Sequence, residues 1–347
     1  WTDRHMEAYG RKLDPINNAE DYQEVLRNML QEYEEQLQQH NDGLGWYTAD
    51  IARALEVTQR IIPELAQPAK RDLFMAMAAV TSPRERPNMN WEKSVDAMQQ
   101  YVATKGVMPT RKQNGKQFGV SSVTSNLQLL GKLITQYGEQ GAVDWLTSVH
   151  TGAEMAQVRK DSGLFVEGHP VSYYTPSEMN LQSEDLGIYM FGPKVGDFFL
   201  NASGVDQNAV TVDMWLAQTY NRLIGRLLDI GPKALADGAV ANDVRGKIER
   251  DNIKSLIRDV AAQAGVDPSA AQAALWYFEQ RLERSHGLIS PSQSFSGAAE
   301  KAAEARDIQV QPRAEKEDGR GVQDPQGGEQ EQFDAAVGAA PAAQAFV

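Results

Sequence analysis

An all-α protein is what this sequence predicts, and three observations carry that. Apolar residues recur at three- and four-residue spacing, as in Tyr22, Val25, Leu26, Met29, Leu30, Tyr33 and Leu37, which gathers them on one face of a helix. No stretch shows a convincing apolar–polar alternation of the kind a half-buried strand needs. Helix start and stop signals punctuate the chain, among them Thr175-Pro176-Ser177-Glu178 and Gly204.

Taken in order, Asn18 caps a helix that runs to about Gln38, and Asp42-Gly43 and Gly45 break the chain after it. Thr48 caps a second helix carrying Ile51, Leu55, Ile61, Ile62 and Leu65, which Pro63 bends or ends. Residues 70–80 are nearly all apolar and read as a buried helix. Ser82-Pro83 to Pro87 is a turn, Trp91 to Tyr101 a helix, Gly106 to Gly119 a polar basic loop, and 122–137 a helix with Leu127, Leu130, Leu133 and Ile134 on one face. Gly152 to Tyr174 looks irregular. Thr175 then caps a helix with Pro176 in its first turn and Glu178 closing a capping box. Further helices start near Pro193, ending at Gly204, and near Asp213, ending at about Leu228. Two more cover 241–263 and Pro268 to Gly287. From Ile289 the chain turns to Ser, Gly, Ala, Gln, Glu and Pro, too poor in large apolar groups to repay ordering. The expected organisation is an N-terminal helix over 1–43, a helical domain with a basic loop over 44–174, a core with C-terminal helices over 175–287, and a disordered tail or linker over 288–347.

Composition narrows the function classes. The 347 residues contain no Cys, which excludes disulfides, thiolate zinc sites and cysteine-held iron–sulfur clusters. The five His residues lie far apart without ligand spacing, so neither a metal nor another cofactor is expected. No run approaches the roughly 18 apolar residues of a membrane span. The chain opens at Trp1 without a charged-then-apolar leader and reads as an internal or processed piece of a cytoplasmic protein. The net charge of −13 argues against non-specific affinity for nucleic acid. Ala97 to Gly138, however, holds Lys105, Arg111, Lys112, Lys116 and Lys132 and no acid. Lys112 and Lys116 are therefore candidate phosphate contacts, or simply solvated loop charges.

The chemistry concentrates at Gly192-Pro193-Lys194-Val195-Gly196 and at Val212-Asp213. A Gly-containing turn leading into a helix exposes backbone N–H groups that suit a phosphate. Lys194 sits at that helix start, where the positive end of the dipole favours its neutral, nucleophilic amine. Asp213 opens the next helix and could stabilise a developing sugar cation or take a proton. The plain readings are a solvated lysine and an N-cap aspartate worth about 1 kcal/mol. Trp46, Tyr47, Trp91 and Tyr173-Tyr174 are candidates for stacking on an extruded base, or else core aromatics.

Gly192 to Asn201 followed by Val212-Asp213 and Arg222 resembles the helix–hairpin–helix DNA glycosylase superfamily. The likeness covers about 35 residues and implies an all-α orthogonal helical domain around a glycosylase-like core. It implies Lys194 and Asp213 as catalytic residues, with Gly192, Gly196 and Arg222 on DNA beside the loop contacts Lys112 and Lys116. It also implies excision or modification of a flipped base, at a cost of a few kcal/mol for the flip. The family's first hairpin glycine falls at Met190, and the His that follows its Asp is replaced by Met214-Trp215. Ala78-Ala79-Val80-Thr81-Ser82-Pro83 with Asn90-Trp91, and Gln272 to Tyr277, resemble segments of phage and mobile-element proteins. That resemblance implies double-stranded DNA, including modified phage DNA, and other phage proteins as partners, in the bacterial cytoplasm or the virion. The alternatives are a non-enzymatic virion, DNA-packaging or interaction module on the same fold, and a base-modifying transferase.

Overall fold

The computed structural model describes residues 12–39, 46–83, 85–162, 182–231, 233, 240–285 and 294–310. It is mostly helical: α1 (Ala19–Gln39), α2 (Ile51–Ile61), α3 (Pro68–Thr81), α4 (Pro87–Ala103), α5 (Ser121–Thr147), α6 (Gly152–Asp161), α7 (Pro193–Ser203), α8 (Met214–Leu223), α9 (Lys247–Ala264), α10 (Pro268–Ser285) and α11 (Phe295–Glu304). Local chemistry accounts for the ends. Asn18 Oδ1 accepts from the Glu20 amide at 2.9 Å and caps α1. Pro63 stops α2 and opens one 3₁₀ turn, Pro63–Ala66. Pro68, Pro87, Pro193 and Pro268 each occupy a first helical turn, where a missing N–H costs nothing. Gly204 and Gly265 close α7 and α9 in the left-handed conformation.

These helices enclose two apolar cores. In the first, α2, α3, α4, α5, α7 and α11 surround Phe74, Trp91, Leu130, Phe199 and Phe295. Trp91 is completely buried, and its indole N–H donates to the Thr58 hydroxyl at 2.9 Å. The second joins α1, α8, α9 and α10 through Val25, Met29, Leu216, Tyr220, Ile257 and Leu275. Helix α10 serves both: Ala273 faces the first core, while Ala271, Ala274 and Leu275 face the second. Consecutive helices α7 and α8 thus belong to different cores, joined by Ala209 to Asp213, whose Thr211 amide is held by Gln272 Oε1 at 2.7 Å.

Several expectations are corrected. Among the described residues two three-residue strands, β1 (Val149–Thr151) and β2 (Glu184–Leu186), pair antiparallel with His150 opposite Asp185; they are too short for periodicity to reveal. The segment read as irregular from Gly152 begins with α6, capped by a reciprocal Thr151–Glu154 box. Thr48 is exposed inside a single π turn, Trp46–Asp50, and does not cap α2. The region expected as a tail from 288 includes α11, which packs on α2 and α4 and buries Phe295, Ala298, Ala299 and Ala303. Its start is fixed by Asp50, whose carboxylate accepts the Phe295 amide at 2.9 Å and the Ser296 amide at 3.3 Å. Helix α1 packs in the second core and α7 in the first. The capping box at Thr175 and the tail beyond Val310 lie outside the described residues.

Candidate active site

The two helix starts singled out above meet where the cores join. Gly192 turns the chain into α7 with φ +103°, a conformation that side chains disfavour, and Pro193 follows it. Lys194 then projects from the first turn toward the end of α3. Its Nζ donates to the Ser82 carbonyl at 2.9 Å and the Ser82 hydroxyl at 2.7 Å, and lies 5.7 Å from the Phe198 ring centroid. Burial lowers its pKa from 10.5 to about 8, against the opposing pull of Asp213 and Glu85.

Asp213 caps α8, accepting from the Leu216 amide at 3.0 Å. The Trp215 amide and the Trp276 side chain also support its carboxylate, yet burial dominates and raises its pKa. Lys194 and Asp213 line one cavity of about 60 Å³ with Glu85, Asn90, Trp215 and Trp276. An apolar void of roughly 150 Å³ takes a benzene ring. The space beside Lys194 therefore holds a few waters or a small substituent, and a whole nucleobase is too large for it.

Its polar lining groups Tyr47, Thr211 and Gln272 are braced. Gln272 Nε2 donates to the Tyr47 hydroxyl at 3.3 Å, and Asn201 Nδ2 to the Thr211 hydroxyl at 3.3 Å. Glu85, in the turn after α3, is ion-paired with the buried Lys93. The cavity therefore carries one amine and two carboxyl groups at a junction between packed units, a frequent location for binding sites.

Of the other residues proposed from sequence, Tyr47 reaches the cavity but is buried against Phe198, with ring centroids 6.3 Å apart. Trp91 is a core residue with no surface for a base. Arg222 is buried between Glu32, at 2.6 Å, and Glu279, at 2.7 Å, so its fork is committed inside the protein and not to a phosphate. The Gly192 amide donates to the Tyr189 carbonyl at 2.9 Å, and Gly196 is where the Tyr189 ring crosses the helix, so both glycines serve packing and chain direction. Lys112 and Lys116 lie on the loop between α4 and α5, joined by a 2.8 Å backbone hydrogen bond, and are not part of the cavity lining. The Trp46 side chain, Tyr173 and Tyr174 fall outside the described residues. Sequence reading missed Glu85, Trp215, Gln272 and Trp276. Only Trp215, two residues from Asp213, and Glu85, just after the Ser82-Pro83 turn, carried a local signal.

Among the described residues no cluster of His, Asp and Glu is arranged to hold a metal ion, and no helix is long and apolar enough to cross a membrane. Comparison of the chain with protein families, curated proteins and solved structures finds no match.

Proposed function

We propose that this cavity is the reaction centre of a DNA glycosylase-like protein acting at the sugar carbon of a nucleotide. The observation that supports it is a half-buried lysine amine, its pKa lowered by desolvation to about 8, sharing one small polar cavity with Asp213. At pH 7 about a tenth of such an amine is neutral and nucleophilic, against less than a thousandth of an ordinary lysine. The neutral Lys194 amine adds to C1′. On an intact nucleotide the base leaves with the C1′–N bond electrons. On a base-free sugar the aldehyde oxygen takes the amine proton, passed on by Glu85, and a second proton from solvent, and leaves as water, giving an iminium. Asp213, held by three donors, stabilises the positive charge that develops on the sugar. Glu85 is the second carboxylate in reach of the cavity and receives the amine proton. The cavity volume suits a sugar edge, with the base lying outside.

Borohydride trapping on double-stranded DNA carrying an abasic site tests this. A covalent protein–DNA adduct is expected with the intact chain and none with Lys194→Ala. Asp213→Asn, which still caps α8, should form it more slowly. Trapping should rise about tenfold between pH 7 and 9 as the amine loses its proton. No adduct, together with no base release from modified DNA, would defeat the reading.

A non-enzymatic virion, DNA-packaging or interaction module is the second reading, favoured by the small cavity and the internal pairing of Arg222. DNA binding that survives Asp213→Asn, with no chemistry from the unmodified chain, would select it.

A further inference from the structure

The cavity beside Lys194 is too small for a ring, yet its mouth carries an aromatic surface. Five aromatic side chains line it: Tyr47, Phe198, Trp215, Trp276 and Phe295. Tyr47, Phe198, Trp276 and Phe295 are 6%, 5%, 7% and 2% exposed, so they form its walls. Trp215 alone of the five is partly exposed. It stands in the first turn of α8, next to Asp213 and to Met214, which is 48% exposed. Trp276 sets its ring at 80° to that of Trp215, with centroids 6.4 Å apart, and Tyr277 lies at 88° to Trp276 at 4.9 Å. Trp276 also supports the Asp213 carboxylate. The Trp215 ring is thus buttressed by a neighbour that is itself tied to the reactive centre, so little rotamer freedom is left to lose on binding.

We infer that Trp215 is the stacking platform for a planar heteroaromatic ring, a nucleobase lying at the cavity mouth while its sugar, or the adjoining base-free sugar, faces Lys194. The inference rests on the sugar-directed reading above. C1′ is one bond from the base ring, so a sugar edge placed in the cavity leaves a base at its entrance, where Trp215 is the aromatic side chain with accessible surface. Stacking on tryptophan suits any base, because every base offers a π-face. Selectivity would then come from the sugar and the cavity, not from hydrogen-bond readout at this ring.

The test compares two labelled single-stranded oligonucleotides bound by the full chain, one with normal bases and one with a central run of base-free tetrahydrofuran residues. Stacking of a single base is worth roughly 1–3 kcal/mol, so Trp215→Ala should weaken binding of the normal strand about 5- to 150-fold. Trp215→Phe should retain most of the affinity, and neither variant should change binding of the base-free strand. Equal affinity of Trp215→Ala and the unmodified chain for the normal strand would overturn the platform, as would an equal loss on both strands. The phenylalanine variant keeps the experiment decisive if the alanine variant folds poorly, because its affinity must stay well above that of a Trp215→Leu variant of similar bulk. Borohydride trapping through Lys194 is read separately. Trapping without dependence on Trp215 removes the platform alone, whereas Trp215-dependent base binding without trapping removes the sugar chemistry alone.

Discussion

Replacing Lys194 with Met should make the protein more stable at neutral pH. In the folded chain the Lys194 pKa falls from 10.5 to about 8, because burial opposes the ammonium more than Asp213 and Glu85 support it. At 1.36 kcal/mol per tenfold change, the folded state carries about 3 kcal/mol against the charged lysine wherever both folded and unfolded chains are protonated, that is below pH 8. Met has a similar length and no charge. Its substitution removes that penalty but also the bonds to the Ser82 carbonyl and hydroxyl, about 1 kcal/mol together. The expected net gain is about 2 kcal/mol at pH 6 to 7, or roughly 3 °C in midpoint for a chain of this size. Between pH 8 and 10.5 the unfolded chain binds a proton at this residue that the folded chain does not, so the unmodified protein gains stability through that window and the variant does not. Urea unfolding of both proteins at pH 6, 7, 8.5 and 10 measures the difference, which should shrink as pH rises. Lys194→Met combined with Asp213→Asn shows how much a lone buried carboxylate subtracts from the gain. A Lys194→Met variant less stable at pH 6, with a difference flat to pH 10, would refute a penalised buried amine and with it the argument for a primed nucleophile. A stabilising loss of function is what a site held in tension with the fold produces.

Other outcomes follow from the same packing. Arg222→Met takes away the guanidinium that the buried Glu32 and Glu279 share and should cost about 3–5 kcal/mol in chemical denaturation, with no change in the salt dependence of any DNA binding. Asp50→Ala removes the acceptor for the Phe295 and Ser296 amides, so α11 should exchange its amide hydrogens faster and global stability should fall by about 1–2 kcal/mol. Gly196→Ala drives a methyl group into the Tyr189 ring and should cost about 1–3 kcal/mol in thermal melts; Tyr189→Leu in the same chain should recover part of it.

The glycosylase-like reading joins two residues from different cores, and the fold explains why they meet. The run Ala209 to Asp213 is pinned through the Gln272–Thr211 bond, so α8 begins beside the start of α7, although the two helices pack into separate interiors. Any shift of α10, which carries Gln272 and Trp276 and touches both cores, would move Asp213 relative to Lys194. That makes α10 the element on which the geometry of the site depends.

Local rules made most helices legible. Asn18 capping α1, Pro63 stopping α2, Gly204 closing α7 and Asp213 opening α8 act within a few residues, and their stereochemistry does not depend on distant partners. The same locality exposed the Lys194 and Asp213 pair, because both sit at helix starts. Tertiary structure decided what those rules cannot reach. Helix α11 lies in a compositionally poor segment and is ordered by Asp50, 245 positions from Phe295, and by packing on α2 and α4. Arg222, read as a DNA contact from its type, is claimed by Glu32 and Glu279, which lie 190 and 57 residues away along the chain. Trp91 and Trp215 are chemically identical in sequence, yet one is sealed in a core and the other is partly exposed and lines the cavity. Sequence fixes a residue's chemistry and its local turn. Exposure, pairing and the low pKa of Lys194 arise from groups that only long-range packing brings together, since burial and charge act through space and not along the chain.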